Sequence, residues 1–172
     1  MESKFIHIPS IDEAFITERG LKAEQLFRQG YNCSQSVALA FSDLIEAGGG
    51  PSSGQLAALA TGFGGGMGRM REVCGTVSGM TLVAGLACPA GPAGHQEGNS
   101  AKQANYALVQ EMAGEFRAIN GSIICRELLG LAGTAPDSPA PSSRTESYYK
   151  KRPCAELCRI AAEITARHLT NK

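Results

Sequence analysis

Residues 62–70 read GFGGGMGRM, five glycines in nine. Glycine loses more conformational freedom on folding than any other residue, so this run is too flexible for a regular helix or strand. The segments on either side must supply the fold, and none shows convincing two-residue alternation of apolar and polar residues. Their apolar residues recur at helical spacings instead. The prediction is an all-α single domain over residues 1–172, a bundle of about six helices with the Gly-rich loop before a buried central helix. A chain of 172 residues with 43% hydrophobic residues can bury a core. With 6% aromatics and no Trp, that core must be mostly Ala, Leu, Ile, Val and Met.

The helices are read from spacing and end signals. Residues 12–29 are amphipathic through Ala23, Leu26 and Phe27, weakened by Gly20 and stopped by Gly30. A second helix begins at Asn32, with Gln35 three residues on in a capping-box pattern. It continues through Val37, Leu39, Ala40, Phe41, Leu44 and Ile45 to the glycines at 48–50. A short helix over 55–61 precedes the glycine run. Residues 73–88 are small and apolar and favour a buried helix, ended by Pro89 before a loop over 89–98. Residues 100–119 form another amphipathic helix, followed by a short one at 123–131. Residues 132–147 are rich in Pro, Ser and Ala and read as an exposed loop. The last helix runs from Arg152 to about Leu169, with Pro153 in its first turn.

Sixteen basic and sixteen acidic residues give a net charge of zero. That argues against a nucleic-acid partner, which draws a basic excess, and against an anionic membrane surface. The N-terminal residues MESKFIHIPSIDEAF lack a basic region followed by an apolar one, and no uncharged run reaches membrane-spanning length. A cytoplasmic protein is expected, in which cysteines are more often reactive or metal-binding than disulfide staples.

The six cysteines stand at 33, 74, 88, 125, 154 and 158, with no CxxC pair. Cys33, Cys74, Cys125 and Cys154 each fall in the first turn of a predicted helix, Cys125 three residues after a candidate cap, Ser122. There the free backbone N–H groups and the helix dipole favour a thiolate, the nucleophilic and metal-binding form. Cys88 closes a helix. Cys158 lies one turn after Cys154 on the same face and is a candidate substitute ligand. Against this stands the plain reading of a cysteine as a small buried hydrophobe.

The glycine run matches neither the P-loop nor the dinucleotide fingerprint, so nucleotide binding is not expected. Either it is a plain connector, or its backbone wraps a sulfur site with Arg69 or Arg71 stabilising thiolates. Gly75 and Gly79 share a helix face where another backbone can approach closely, beside Cys74. His7, His95 and His168 are isolated and read as surface residues. Glu72, near Cys74, is a candidate proton acceptor.

Four stretches resemble one family in order: GYNCSQSV (30–37), FGGGMGRMREVCGTVSGMTLVAGL (63–86), FRAINGSIICRELLG (116–130) and RPCAELCRIAAEI (152–164). The chain is similar there, over most of residues 20–168, to redox-active proteins named for the pattern C_GCAxxG_C_C. The resemblance implies that Cys33, Cys74, Cys125 and Cys154 are the family's four cysteines, with Cys88 and Cys158 as extras. Thr76 replaces the pattern's Ala after Cys-Gly.

Four convergent thiolates suit an iron–sulfur cluster or zinc. The first expectation is therefore an iron–sulfur or other metal–thiolate electron-transfer site on Cys33, Cys74, Cys125 and Cys154. The alternatives are metal-free thiol–disulfide chemistry without a cofactor, and a structural zinc protein without catalysis. The expected partner is a redox protein whose identity the sequence does not give. Completion of the site across a homodimer stays open.

Overall fold

The computed structural model describes residues 6, 12–91, 96–133 and 138–169. His7 and His95 lie outside the described residues. Among those described, the regular structure is helical, with no strand and a single isolated antiparallel bridge, Val73 to Ile124, and no helix is long and apolar enough to cross a membrane.

Helix α1 (Glu13–Arg28) starts where the Asp12 carboxylate accepts the Phe15 N–H at 2.8 Å. It buries Ile16, Arg19, Gly20, Ala23 and Phe27. Its main partner is the last helix, α9 (Cys154–His168). Gly20 has a packing reason: a Cβ there would lie 2.7 Å from the Glu163 side chain of α9.

The predicted second helix is two. Helices α2 (Cys33–Leu39) and α3 (Ser42–Ala47) part at Ala40 and Phe41. Arg19 Nη1 takes the Ala40 carbonyl at 2.9 Å, the oxygen a continuous helix would offer to Leu44, and Phe41 turns fully into the core. Helix α4 (Ser53–Ala60) has its own capping box, Ser52 with Gln55, and ends in a 3₁₀ turn over Thr61–Phe63.

Central helix α5 (Gly75–Ala87) is buried as expected, through Gly75, Thr76, Val77, Gly79, Met80, Val83 and Ala84. It packs on α2, α6 and α9. Helix α6 (Gln96–Asn120) begins earlier than predicted and takes in residues 96–98 of the expected loop. Helix α7 is only Cys125–Leu128, shorter than the predicted 123–131. A further helix, α8 (Glu146–Lys151), capped by Thr145, begins inside the stretch read as an exposed loop. The last helix starts at Cys154, not Arg152, because Pro153 sits outside it as the N-cap.

The glycine run departs most from expectation. Gly65, Gly66, Met67, Gly68 and Arg69 follow one another at φ between 55° and 73°, and Arg71 adopts 63°. This is an ordered left-handed turn. Its long-range closures include Gly68 N–H to Gly62 O (2.7 Å), Arg71 N–H to Gly65 O (3.3 Å) and Glu72 N–H to Gly66 O (3.1 Å). Glycine adopts such φ values at no steric cost, whereas an L side chain costs about 1–2 kcal/mol per residue.

Candidate thiol site

Cys33 is the first residue of α2, and the capping box fixes it there. Asn32 Oδ1 accepts the Gln35 N–H at 3.0 Å and Gln35 Oε1 accepts the Asn32 N–H at 3.0 Å. The same two side chains reach across to the end of α4: Asn32 Nδ2 donates to Thr61 O (2.9 Å) and Gln35 Nε2 to Ala57 O (3.1 Å). The N-terminus of α2 is thus tied to the start of the glycine turn.

Cys74 is the N-cap of α5, and its N–H bonds Ile123 O at 2.8 Å. Cys125, the first residue of α7, gives its N–H to Glu72 O at 2.7 Å. These bonds, with Arg126 N–H to Arg71 O (3.1 Å), pair the end of the glycine turn with the entry to α7. Ser122 is not the cap of α7: Ile124 holds that place with no side-chain cap bond, and Ser122 Oγ accepts the Ile124 N–H at 2.9 Å just before the helix. Glu72 is not poised as a base for Cys74: its Oε1 lies 2.7 Å from Arg126 Nη2.

Cys154 opens α9, and Cys158 lies one turn on, fully buried. Both act on Cys33 by favouring its thiolate over its thiol. The Cys158 thiol is also 3.9 Å from Cys33 O.

Cys33, Cys74, Cys125 and Cys154 line one cavity of about 480 Å³. Its other walls are apolar side chains, the glycine turn and a strap over residues 138–145. The predicted exposed loop therefore has an inner side: Pro139, Pro141, Ser142 and Arg144 face the cavity. Among the described residues, the charged side chains of the lining are all arginines: Arg69, Arg71, Arg144 and Arg152. Arg71 Nη1 is 3.8 Å from Cys125 Sγ, while Arg69 Nε holds the strap through Ser138 O at 2.6 Å.

The four helix starts do not make four thiolates. Hydrogen bonds from Cys154 and then Cys158, with the Gly65 N–H, hold the Cys33 thiol well below its ordinary value against the opposing effect of burial. Burial pushes Cys74 up to about 12, opposed by its Thr76 contact, and pushes Cys125 up against the pull of Arg71. Cys154 is raised first by its bond to Cys33 and then by burial, and Cys158 is raised first by burial. The expectation of low thiol pKa at every helix start fails because desolvation dominates at Cys74 and Cys125, and the bond to Cys33, ahead of burial, dominates at Cys154.

A family model described as "Putative redox-active protein (C_GCAxxG_C_C)" matches residues 31–168. The chain belongs to this family. No curated protein and no solved structure matches it. Within the C_GCAxxG_C_C pattern, Thr76 replaces Ala, and its hydroxyl lies 3.1 Å from Cys74 Sγ. The exchange of Ala for Thr is a change of chemistry as well as of size. The chemistry of the side chain, a hydroxyl two residues after a buried thiol, was the available signal.

Gly75 and Gly79 lie where close approach was expected. A Cβ on Gly75 would sit 2.8 Å from Phe63 O and 3.1 Å from Cys33 Cβ, and one on Gly79 would sit 2.8 Å from both Ser34 O and Val37 Cβ. These glycines bring α5 against α2 and so set Cys74 near Cys33. Cys88 is the C-cap of α5, outside the cavity lining. His168 is not isolated: its Nε2 is 2.7 Å from Glu115 Oε2.

Among the described residues, no group of three or more His, Cys, Asp or Glu side chains is arranged to hold a metal ion. The family cysteines Cys33, Cys74, Cys125 and Cys154 instead share the wall of one cavity.

Proposed function

We propose that this redox-active family member is a thiol–disulfide oxidoreductase, with Cys33 as the attacking thiol and Cys154 as its resolving partner. The carrying observation is that Cys33 and Cys154 line one cavity with the Cys158 thiol 3.9 Å from Cys33 O, and Cys154 and Cys158 both favour the Cys33 thiolate. One thiolate beside neutral thiols is the arrangement that forms and resolves a mixed disulfide.

The step balances within the site. The Cys33 thiolate attacks one sulfur of a disulfide, its S–S bond breaks, and the other sulfur leaves as a thiolate. Cys154 then attacks Cys33 in the mixed disulfide, passes its proton to the second departing thiol and closes a Cys33–Cys154 disulfide. Two electrons go to the substrate. The foremost cause of the raised Cys154 pKa is its bond to Cys33. Covalent capture of Cys33 removes that negative charge, so Cys154 becomes easier to ionise when its attack is needed.

A second reading rests on the shared cavity: Cys33, Cys74, Cys125 and Cys154 would hold an iron–sulfur cluster, with the arginines offsetting its negative charge. Such a cluster supplies one-electron transfer.

The test is purification without oxygen, followed by iron, sulfide and zinc analysis and by mass spectrometry after adding a disulfide. Metal-free protein that gains one Cys33–Cys154 bond supports the first reading. Stoichiometric iron and sulfide lost in Cys74→Ser and Cys125→Ser supports the second. Zinc alone overturns both.

A further inference from the structure

The cavity has a cationic, aromatic mouth that neither redox reading requires in this form. Arg144 Cζ lies 4.1 Å from the Phe27 ring centre and 5.0 Å from that of Tyr148, and Arg152 Cζ lies 5.1 Å from Tyr148 on α8. The Tyr148 ring therefore carries two guanidinium groups. Arg144 also donates to Phe27 O (3.1 Å) and Tyr31 O (3.2 Å), which holds it in place at the end of α1. Among the described residues, neither Arg144 nor Arg152 forms an ion pair with a carboxylate.

Among the described residues, the lining contains no acidic residue and no lysine. Its apolar part includes Phe27, Leu128, Leu129, Leu157 and the two strap prolines. A volume of about 480 Å³ lies in the range of small-molecule sites. A thiolate alone at the base of such a pocket would repel an anion. Arginine charges at the mouth, in surroundings less polar than water, reverse that sign and match a carboxylate.

We infer that the cavity selects a small organic anion, a disulfide carrying a carboxylate beside a short apolar body, with Arg144 and Arg152 binding the carboxylate while Cys33 meets the sulfur. This rests on the thiol–disulfide reading and adds the substrate class. The exchange is the balanced one above, with the anionic disulfide as oxidant: it leaves as one thiolate and one thiol while Cys33 and Cys154 become a disulfide.

The experiment uses the full reduced chain, freed of metal by chelation, and three symmetrical disulfides of similar size: dithiodipropionate (anionic), bis(2-hydroxyethyl) disulfide (neutral) and cystamine (cationic). Each rate of Cys33 modification is divided by the rate of the same disulfide with a small neutral thiol. The expected order is anionic over neutral over cationic, with at least a tenfold anionic preference at low salt that shrinks as ionic strength rises. Arg152→Gln and Arg144→Gln should collapse the anionic-to-neutral ratio, and Arg152→Lys should restore much of it. Because Arg144 anchors the strap, Arg152→Gln decides the question should Arg144→Gln fail to fold by circular dichroism. Equal normalised rates in the wild type, or a ratio unmoved by Arg152→Gln, overturn the inference and leave the thiol reading standing. No Cys33–Cys154 disulfide with any of the three reagents overturns both.

Discussion

Gly66 and Cys125 approach more closely than a side chain on Gly66 would permit: a Cβ there would lie 2.7 Å from Cys125 Cβ. Gly66 is also left-handed, at φ 73°. The glycine turn and the entry to α7 are thus fitted to each other at a thiol. Gly66→Ala combines overpacking with a disfavoured φ and should cost at least 2 kcal/mol, on the order of the two penalties together. Chemical denaturation measures the cost, and a loss under 0.5 kcal/mol would show that the turn yields freely.

Met67 makes the opposite case. It holds φ 59° with an exposed side chain. Met67→Gly should remove about 1–2 kcal/mol of backbone strain and add about 0.5–1 kcal/mol of chain entropy cost, a net gain of roughly 0.5 kcal/mol. The same denaturation series reads it, and a clear loss of stability would mean that the methionine side chain makes an essential contact.

Cys33 should be the fastest thiol to alkylate near neutral pH, because hydrogen bonds from Cys154 and Cys158 favour its thiolate. Cys158→Ala removes one donor, so the pH profile of Cys33 alkylation should move to higher pH with the fold intact. Cys88→Ala should leave the profile unchanged. Mass spectrometry of iodoacetamide-treated protein across pH follows both variants, and an unshifted profile in Cys158→Ala would remove Cys158 from the account.

Asp43 controls acid stability. Burial alone would raise its pKa, but hydrogen bonds from Arg19 and Lys22 outweigh this and hold it at about 2. An unfolded aspartate titrates near 4. The folded value is depressed, so the stabilisation is present above about pH 4 and is lost as pH falls through about 2. Asp43→Asn should therefore cost stability at pH 7, on the order of 1–2 kcal/mol for a pair between exposed and buried. The variant and the wild type should converge towards pH 2. Parallel stability curves down to that pH would assign the loss to something other than this charge.

The helices were legible where their ends carried a chemical signal. Asn32 with Gln35 announces the start of α2, and the structure has that capping box. The break at Ala40 was not legible, because its cause is Arg19, a residue 21 positions away that takes the carbonyl. The common wall of Cys33, Cys74, Cys125 and Cys154 agrees with the placement drawn from helix starts and family pattern. Their unequal acidity was hidden, since it depends on burial and on which sulfur meets which. The order within residues 62–70 was hidden for a related reason. Composition registers glycine's freedom, whereas the left-handed turn is imposed by closures such as Gly68 N–H to Gly62 O and by pairing with the entry to α7.

The contact between α9 and Cys33 has a consequence for biosynthesis. Cys158 and Cys33 are 125 residues apart. At about 5–20 residues per second, the ribosome adds Cys158 roughly 6–25 seconds after Cys33. During that interval the nascent chain carries Cys33 without either thiol donor, and its acidity is that of an ordinary cysteine. The influences that lower the Cys33 pKa therefore wait on α9, and a chain still being made holds Cys33 without them.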